Sequence, residues 1–147
     1  MSYCLPLFLL LLLFVLCSSG AEVVTIDVHA AKNLIQTYHN YLDVRTVEEF
    51  LKGHVDAANI FNVPYILDTP KGKVKNPNFL KDVSFVFNKE DHIIVGCQIG
   101  ERSQSATSDL LAEGFKNVKD MRGGYVEWVR NKLPVIHKWR KNNYNKI

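Results

Sequence analysis

The chain has 147 residues, 47% apolar, 22% charged and 11% aromatic, with 18 basic and 15 acidic side chains for a net charge of +3. That size fits one globular domain, and the apolar content excludes a disordered chain, which lacks the surface needed to offset ordering entropy. The charges nearly balance and are interspersed, which argues against a nucleic-acid field or a polybasic membrane surface as the main function.

Residues 5–16 are an almost unbroken apolar run, shorter than the roughly 20 residues a membrane-crossing helix needs. Ser18, Ser19 and Gly20 follow, so residues 1–20 read as a signal peptide cleaved after Gly20, which directs the chain to the secretory pathway or the cell exterior. The run is preceded by no Lys or Arg, so an uncleaved membrane anchor is the alternative, and a cytoplasmic or plastid location follows if the leader does not function. Removing it takes away Cys4 and Cys17 and leaves Cys97 alone. A lone thiol in such a chain is either a working nucleophile or a small buried hydrophobe.

From Val23 onward, short β-branched runs alternate with helical patterns, as expected of crossover units on a mainly parallel sheet. Strands are expected over 23–26, 41–44, 58–60, 92–96 and 118–121. The fold class is therefore α/β, a mainly parallel five-stranded sheet flanked by helices on both faces. Helical spacing places Ala31, Leu34 and Ile35 on one stripe, Val47, Phe50 and Leu51 on a second, and Phe79, Val83 and Val86 on a third. Thr46 with Glu49 three residues later is a capping-box signature, so a helix should start just after Arg45. Residues 65–77 carry Pro70, Gly72 and Pro77 among lysines and read as an exposed loop. The last helical pattern, 125–129, ends before Pro134. No acidic residue follows Glu127 although six Lys or Arg do, so residues 135–147 read as a solvated basic tail on a domain spanning 21–134.

The chemistry concentrates after the fourth strand, where His92-Ile93-Ile94-Val95-Gly96 runs into Cys97-Gln98-Ile99-Gly100-Glu101-Arg102-Ser103 and then into a helix carrying Ala106, Leu110 and Leu111. Ligands of parallel sheets bind beyond the carboxyl ends of strands, and amides at a helix N-terminus attract anions. A field of that sign favours thiolate over thiol. Gly100 lets the backbone turn or approach a bound group closely, and Arg102 offers a permanent positive charge, read here as anion stabilisation. Arg102 at a helix start opposes the helix dipole, which calls for such a reason. Asp43 and Arg45 are expected to pair at a strand end and brace the loop region. His54 reads as a hydrogen-bonding turn residue, and Gly123 and Gly124 as a turn that also lines the pocket mouth. The scattered histidines and single mature cysteine give no ligand spacing for a metal.

Five blocks in order resemble a single-domain rhodanese of the plant type: Tyr41-Leu42-Asp43-Val44-Arg45, Glu48-Glu49-Phe50, Gly53-His54-Val55-Asp56-Ala57-Ala58-Asn59-Ile60, the Cys97 loop, and Gly123-Gly124-Tyr125 with Trp128. The resemblance implies a rhodanese-like domain and a sulfurtransferase. In it Cys97 would accept a sulfane sulfur as a persulfide, cradled by the backbone of Gln98, Ile99, Gly100, Glu101, Arg102 and Ser103, with Asp43 and Arg45 behind. It implies no cofactor. Its partners would be a small sulfur donor such as thiosulfate and an acceptor that is cyanide or a thiol, a thioredoxin-like protein among the candidates, with no nucleic acid and, once the leader is removed, no membrane.

Dual-specificity phosphatases and arsenate reductases of related fold carry a longer loop. Here only Gln98, Ile99, Gly100 and Glu101 separate Cys97 from Arg102, and the tighter loop that the resemblance implies would fit one sulfur atom, where a phosphate or arsenate needs a wider ring of amides. The other alternative is a non-enzymatic binding or redox-sensing module, since a fold does not dictate a function. Two positions depart from plant relatives. Ile99 is bulkier than the small or polar residue common there, and Glu101 places a negative charge where many have an apolar or basic side chain, which opposes anionic thiosulfate.

Overall fold

A computed structural model describes residues 20–137. The expected leader and most of the expected tail lie outside these residues. Nine strands and five helices follow one another along the described chain. They are β1 (Val24–Ile26), α1 (Val28–Gln36), β2 (Asn40–Asp43), α2 (Val47–Lys52), β3 (Gly53–Val55), β4 (Ile60–Asn62), β5 (Ile66–Thr69), β6 (Gly72–Lys75), α3 (Phe79–Val86), β7 (His92–Gly96), α4 (Glu101–Ala112), β8 (Asn117–Met121), α5 (Gly124–Arg130) and β9 (Val135–His137).

Five of these strands form the expected parallel sheet in the order β1-β8-β7-β2-β4. Buried on both faces, its central strands read as nearly continuous apolar runs: Ile93, Ile94 and Val95 of β7 are fully buried. Alternation along β7 divides the core. Ile93 and Val95 pack with Phe79 and Val83 of α3 and Ala106 and Leu110 of α4. Ile94, with Tyr41 and Met121, packs with Val28, Ala31 and Ile35 of α1 and Trp128 of α5. Helices thus cover both faces, as the sequence implies.

The departures have local causes. The strand expected over 58–60 lies at Ile60–Asn62, where it pairs with Tyr41–Asp43. The expected loop over 65–77 contains a hairpin, β5 against β6, closed by a turn at Pro70-Lys71 and outside the main sheet. Every residue of β6 is exposed, so it carries no apolar alternation that a sequence reading could detect. Its ends are nonetheless anchored: Asn76 N–H donates to the Tyr65 carbonyl at 2.8 Å, and Tyr65 Oη donates to Asp109 at 2.8 Å. The start of the expected tail is also part of the fold, since Val135–His137 pairs antiparallel with Gly53–Val55. The capping box at Thr46 is present, with Glu49 N–H donating to Thr46 Oγ1 and Thr46 N–H donating to Glu49. The stripe expected to bury α2 is not buried: Val47 and Leu51 are both about half exposed. Six residues are too short for a helix to stand without support, and α2 is held at its start by the box and Arg102 instead.

Candidate active site

β7 is the middle strand, and the chain leaves its carboxyl end for α4 and then β8 on one side, while β2 and β4 lie on the other. Its end is therefore a point where the winding direction reverses, the usual place for a ligand in such sheets. Cys97 stands immediately after β7, 1% exposed. Tyr41 fills the space beside the preceding Gly96, whose Cβ, were there one, would overlap the Tyr41 hydroxyl.

From Cys97 the loop closes on itself. Gly100 N–H donates to Cys97 Sγ at 3.1 Å, and Gly100 has φ +108°, a left-handed conformation that side chains resist. α4 begins without a side-chain cap, and its first regular bond is Gln104 N–H to the Gly100 carbonyl at 3.1 Å. The preceding amides, those of Glu101, Arg102 and Ser103, thus have no intrahelical acceptor. Such amides favour negative charge at the loop.

The loop is fixed from three sides. From the α5 side, Tyr125 N–H donates to the Cys97 carbonyl at 2.8 Å and Val126 N–H to the Gln98 carbonyl at 3.0 Å. This approach requires Gly124, because a Cβ there would meet the Cys97 carbonyl and come within 2.8 Å of the Gln98 carbonyl, at a φ of +59°. Gly123 and Gly124 therefore underpin the loop from behind, and Gly123 also faces the smaller hollow described below. From β2, the buried Arg45 donates through Nε and Nη2 to Asp43, through Nη2 to the Gly53 carbonyl at 2.8 Å and through Nη1 to Gln98 Oε1 at 3.3 Å, with its guanidinium 4.1 Å from the centre of the Tyr125 ring. Asp43 and Arg45 form a structural brace, as the sequence suggests. From β8, Asp120 accepts from Ser103 Oγ at 2.6 Å and from Thr25 Oγ1 at 3.2 Å, and burial pushes its carboxyl above the ordinary carboxylate range.

Arg102 has a partner that its place in the sequence does not show. Its Nη1 and Nη2 each donate at 2.8 Å to one oxygen of Glu49. Glu49 also accepts from Thr46 N–H and Oγ1, and the Arg102 guanidinium above all holds its carboxyl well below the usual range, at about 2. Arg102 is thus a strut from α4 to α2, with both terminal nitrogens engaged by Glu49, and it also lines the cleft in front of the loop. Glu49 is the residue the sequence reading missed: it was visible as a capping partner, but a capping carboxylate has lone pairs to spare for a second donor. His54 stands apart from the loop, stacked on Phe50 at 4.2 Å with Nδ1 3.0 Å from the Val55 carbonyl.

In front of the loop lies an open cleft of about 590 Å³ between α2, the β5–β6 hairpin and the residues Gln98, Ile99 and Glu101. A smaller hollow of about 350 Å³ lies on the other side of Ile99 and Glu101, toward Thr25, Gln104 and Arg122. Ile99 is 57% exposed on the ridge between them. Among the described residues no group of His, Cys, Asp and Glu could hold a metal ion.

A buried cysteine at the end of a central parallel strand, bonded to the amide of its own loop and backed by a Gly-Gly turn, defines a class of cysteine-loop α/β domains. Residues 27–131 match the rhodanese-like domain family, and the chain belongs to it. It is 50% identical over 129 residues to rhodanese-like domain-containing protein 17 of Arabidopsis thaliana, covering 88% of this chain and 83% of that one. It is 53% identical over 118 residues to thiosulfate sulfurtransferase 18 of the same plant, covering 80% and 87%. Among solved structures, the rhodanese-like domain of the Alr3790 protein from Anabaena superimposes with a TM-score of 0.64 at 19% identity, covering 86% of this chain and 88% of that one, a likeness of fold.

Proposed function

We propose that the protein is a sulfurtransferase that carries sulfane sulfur on Cys97. The observation that supports this most directly is the closed loop itself, with Gly100 N–H on Cys97 Sγ and the uncapped amides of Glu101, Arg102 and Ser103 beside it. The Cys97 thiolate attacks the outer sulfur of thiosulfate or a similar donor, the S–S bond breaks, and sulfite leaves with the electron pair. The persulfide gains negative charge, and loop amides already held in place stabilise it without reorganising. An acceptor, cyanide or a thiol, then attacks the outer sulfur and Cys97 returns to thiolate. The order of binding is fixed by the chemistry, since the loop between Cys97 and Arg102 suits one sulfur rather than two reactants side by side.

Ping-pong kinetics are the consequence. Thiocyanate formation measured against thiosulfate at several cyanide concentrations should give parallel double-reciprocal lines. Intersecting lines would contradict a sulfur-carrying intermediate. The leader over residues 1–20 remains part of the proposal as a secretory signal, which a fluorescent fusion of the full chain tests: reticular or extracellular signal supports it, and cytosolic or plastid signal overturns it.

A further inference from the structure

The cleft before Cys97 is rich in charge, and its charges cancel with one exception. Glu49 is bonded to Arg102, and Glu48 to Lys52 at 2.7 Å. Asp68 and Lys73 lie directly opposite each other in the β5–β6 register, on the same side of the hairpin. Glu101 alone lines this cleft with no ion pair and no register partner among the described residues. It also faces the smaller hollow, whose lining includes Arg122 and the Asp120 carboxylate. Glu101 is exposed, stands beside the exposed apolar Ile99 and belongs to the loop that closes over Sγ.

Resting on the sulfurtransferase reading, we infer that Glu101 makes this cleft selective for the charge of the sulfur acceptor, favouring a thiol that carries positive charge next to its sulfur, such as a cysteine flanked by Lys or Arg or a small aminothiol. The acceptor loses its thiol proton to water and its sulfur bonds to the outer sulfur of the Cys97 persulfide. The S–S bond to Cys97 breaks, its electron pair returns to Cys97 as thiolate, and the acceptor leaves as a persulfide. During that step the acceptor's second substituent lies in the space before the loop, where Ile99 and Glu101 line both hollows and Cys97 itself is buried. A unit charge there meets the Glu101 carboxylate at rim distance in a largely aqueous medium, where one charge changes a rate by about threefold.

The test uses single-turnover discharge of the full-length protein, loaded with thiosulfate and desalted, by three thiols that share one ethylene spacer: cysteamine, 2-mercaptoethanol and 3-mercaptopropionate. Intrinsic thiol reactivity cancels when the cysteamine to 3-mercaptopropionate rate ratio is compared between proteins. In Glu101→Gln the ratio should fall about tenfold, because the two acceptors differ by two charges, and in Glu101→Lys it should fall further. Raising the salt concentration to 0.5 M, on the order of a few-ångström screening length, should shrink the wild-type ratio toward that of Glu101→Gln. Ratios within about twofold of wild type in both variants, against that tenfold expectation, would overturn the inference while leaving sulfur transfer standing. If the wild-type protein carries no transferable sulfur after thiosulfate, the sulfurtransferase reading itself fails, and this inference with it.

Discussion

Arg45 and Arg102 flank the same loop, and each is held by one carboxylate, yet they do different work. Arg45 and Asp43 have side chains 2% and 1% exposed, and the guanidinium also supports the Gly53 carbonyl, Gln98 and the Tyr125 ring. Arg102 and Glu49 are 24% and 31% exposed and join only the first turns of α4 and α2. The first pair is a pillar inside the domain, tying β2 to the loop. The second is a strut on the cleft wall, which keeps α2 in place although its Val47 and Leu51 are not buried. The work of a permanently charged residue near a cysteine is thus set in part by its partner and by how far the pair is buried.

The largest expected effect separates the pillar from the strut. Arg45→Met leaves Asp43 buried without its cation and should cost about 3–5 kcal/mol, a large share of the roughly 5–15 kcal/mol that holds a domain folded. Adding Asp43→Leu removes the uncompensated charge and should recover part of that loss, which urea unfolding of both variants would measure. A single-variant loss no larger than that of a surface residue would break the distinction between the pairs.

The strut should respond more weakly and with pH. Glu49→Gln should cost about 1 kcal/mol at neutral pH, because the pair is partly open to solvent screening. The Glu49 carboxyl titrates at about 2 in the fold against an ordinary 4.5, so its contribution is fully present above 4.5 and is lost as pH falls through 2. The difference in unfolding free energy between wild type and Glu49→Gln should therefore close over that interval. A difference that stays constant from neutral pH to pH 2 would show that the ion pair is not its source.

The parts of this molecule legible in the sequence are those in which a local rule and the tertiary environment agree. β7 is a doubly buried strand with a continuous apolar run, the Thr46–Glu49 box is a local device, and Cys97 with Gly100 sits between a strand and a helix. What was not legible depends on distant partners. Nothing near β9 in sequence announces its pairing with Gly53–Val55, because a three-residue strand with only one half-buried position has almost no pattern. The β5–β6 hairpin hides for the same reason, since β5 is half-buried over only three residues and β6 is exposed throughout. Glu49 and Arg102 are 53 residues apart, as are Arg45 and Gln98, so neither contact follows from spacing along the chain. The sequence places Ser103 in the loop, but its bond to Asp120 depends on the approach of α4 to β8.

The central claim is that Cys97 carries the sulfur. Intact-mass analysis of the reduced protein after incubation with thiosulfate, beside Cys97→Ser, tests it most directly. The account predicts a gain of one sulfur atom on the wild type alone, removed by cyanide with release of an equal amount of thiocyanate. An unchanged wild-type mass with a reduced, titratable Cys97, or the same gain in Cys97→Ser, would contradict it.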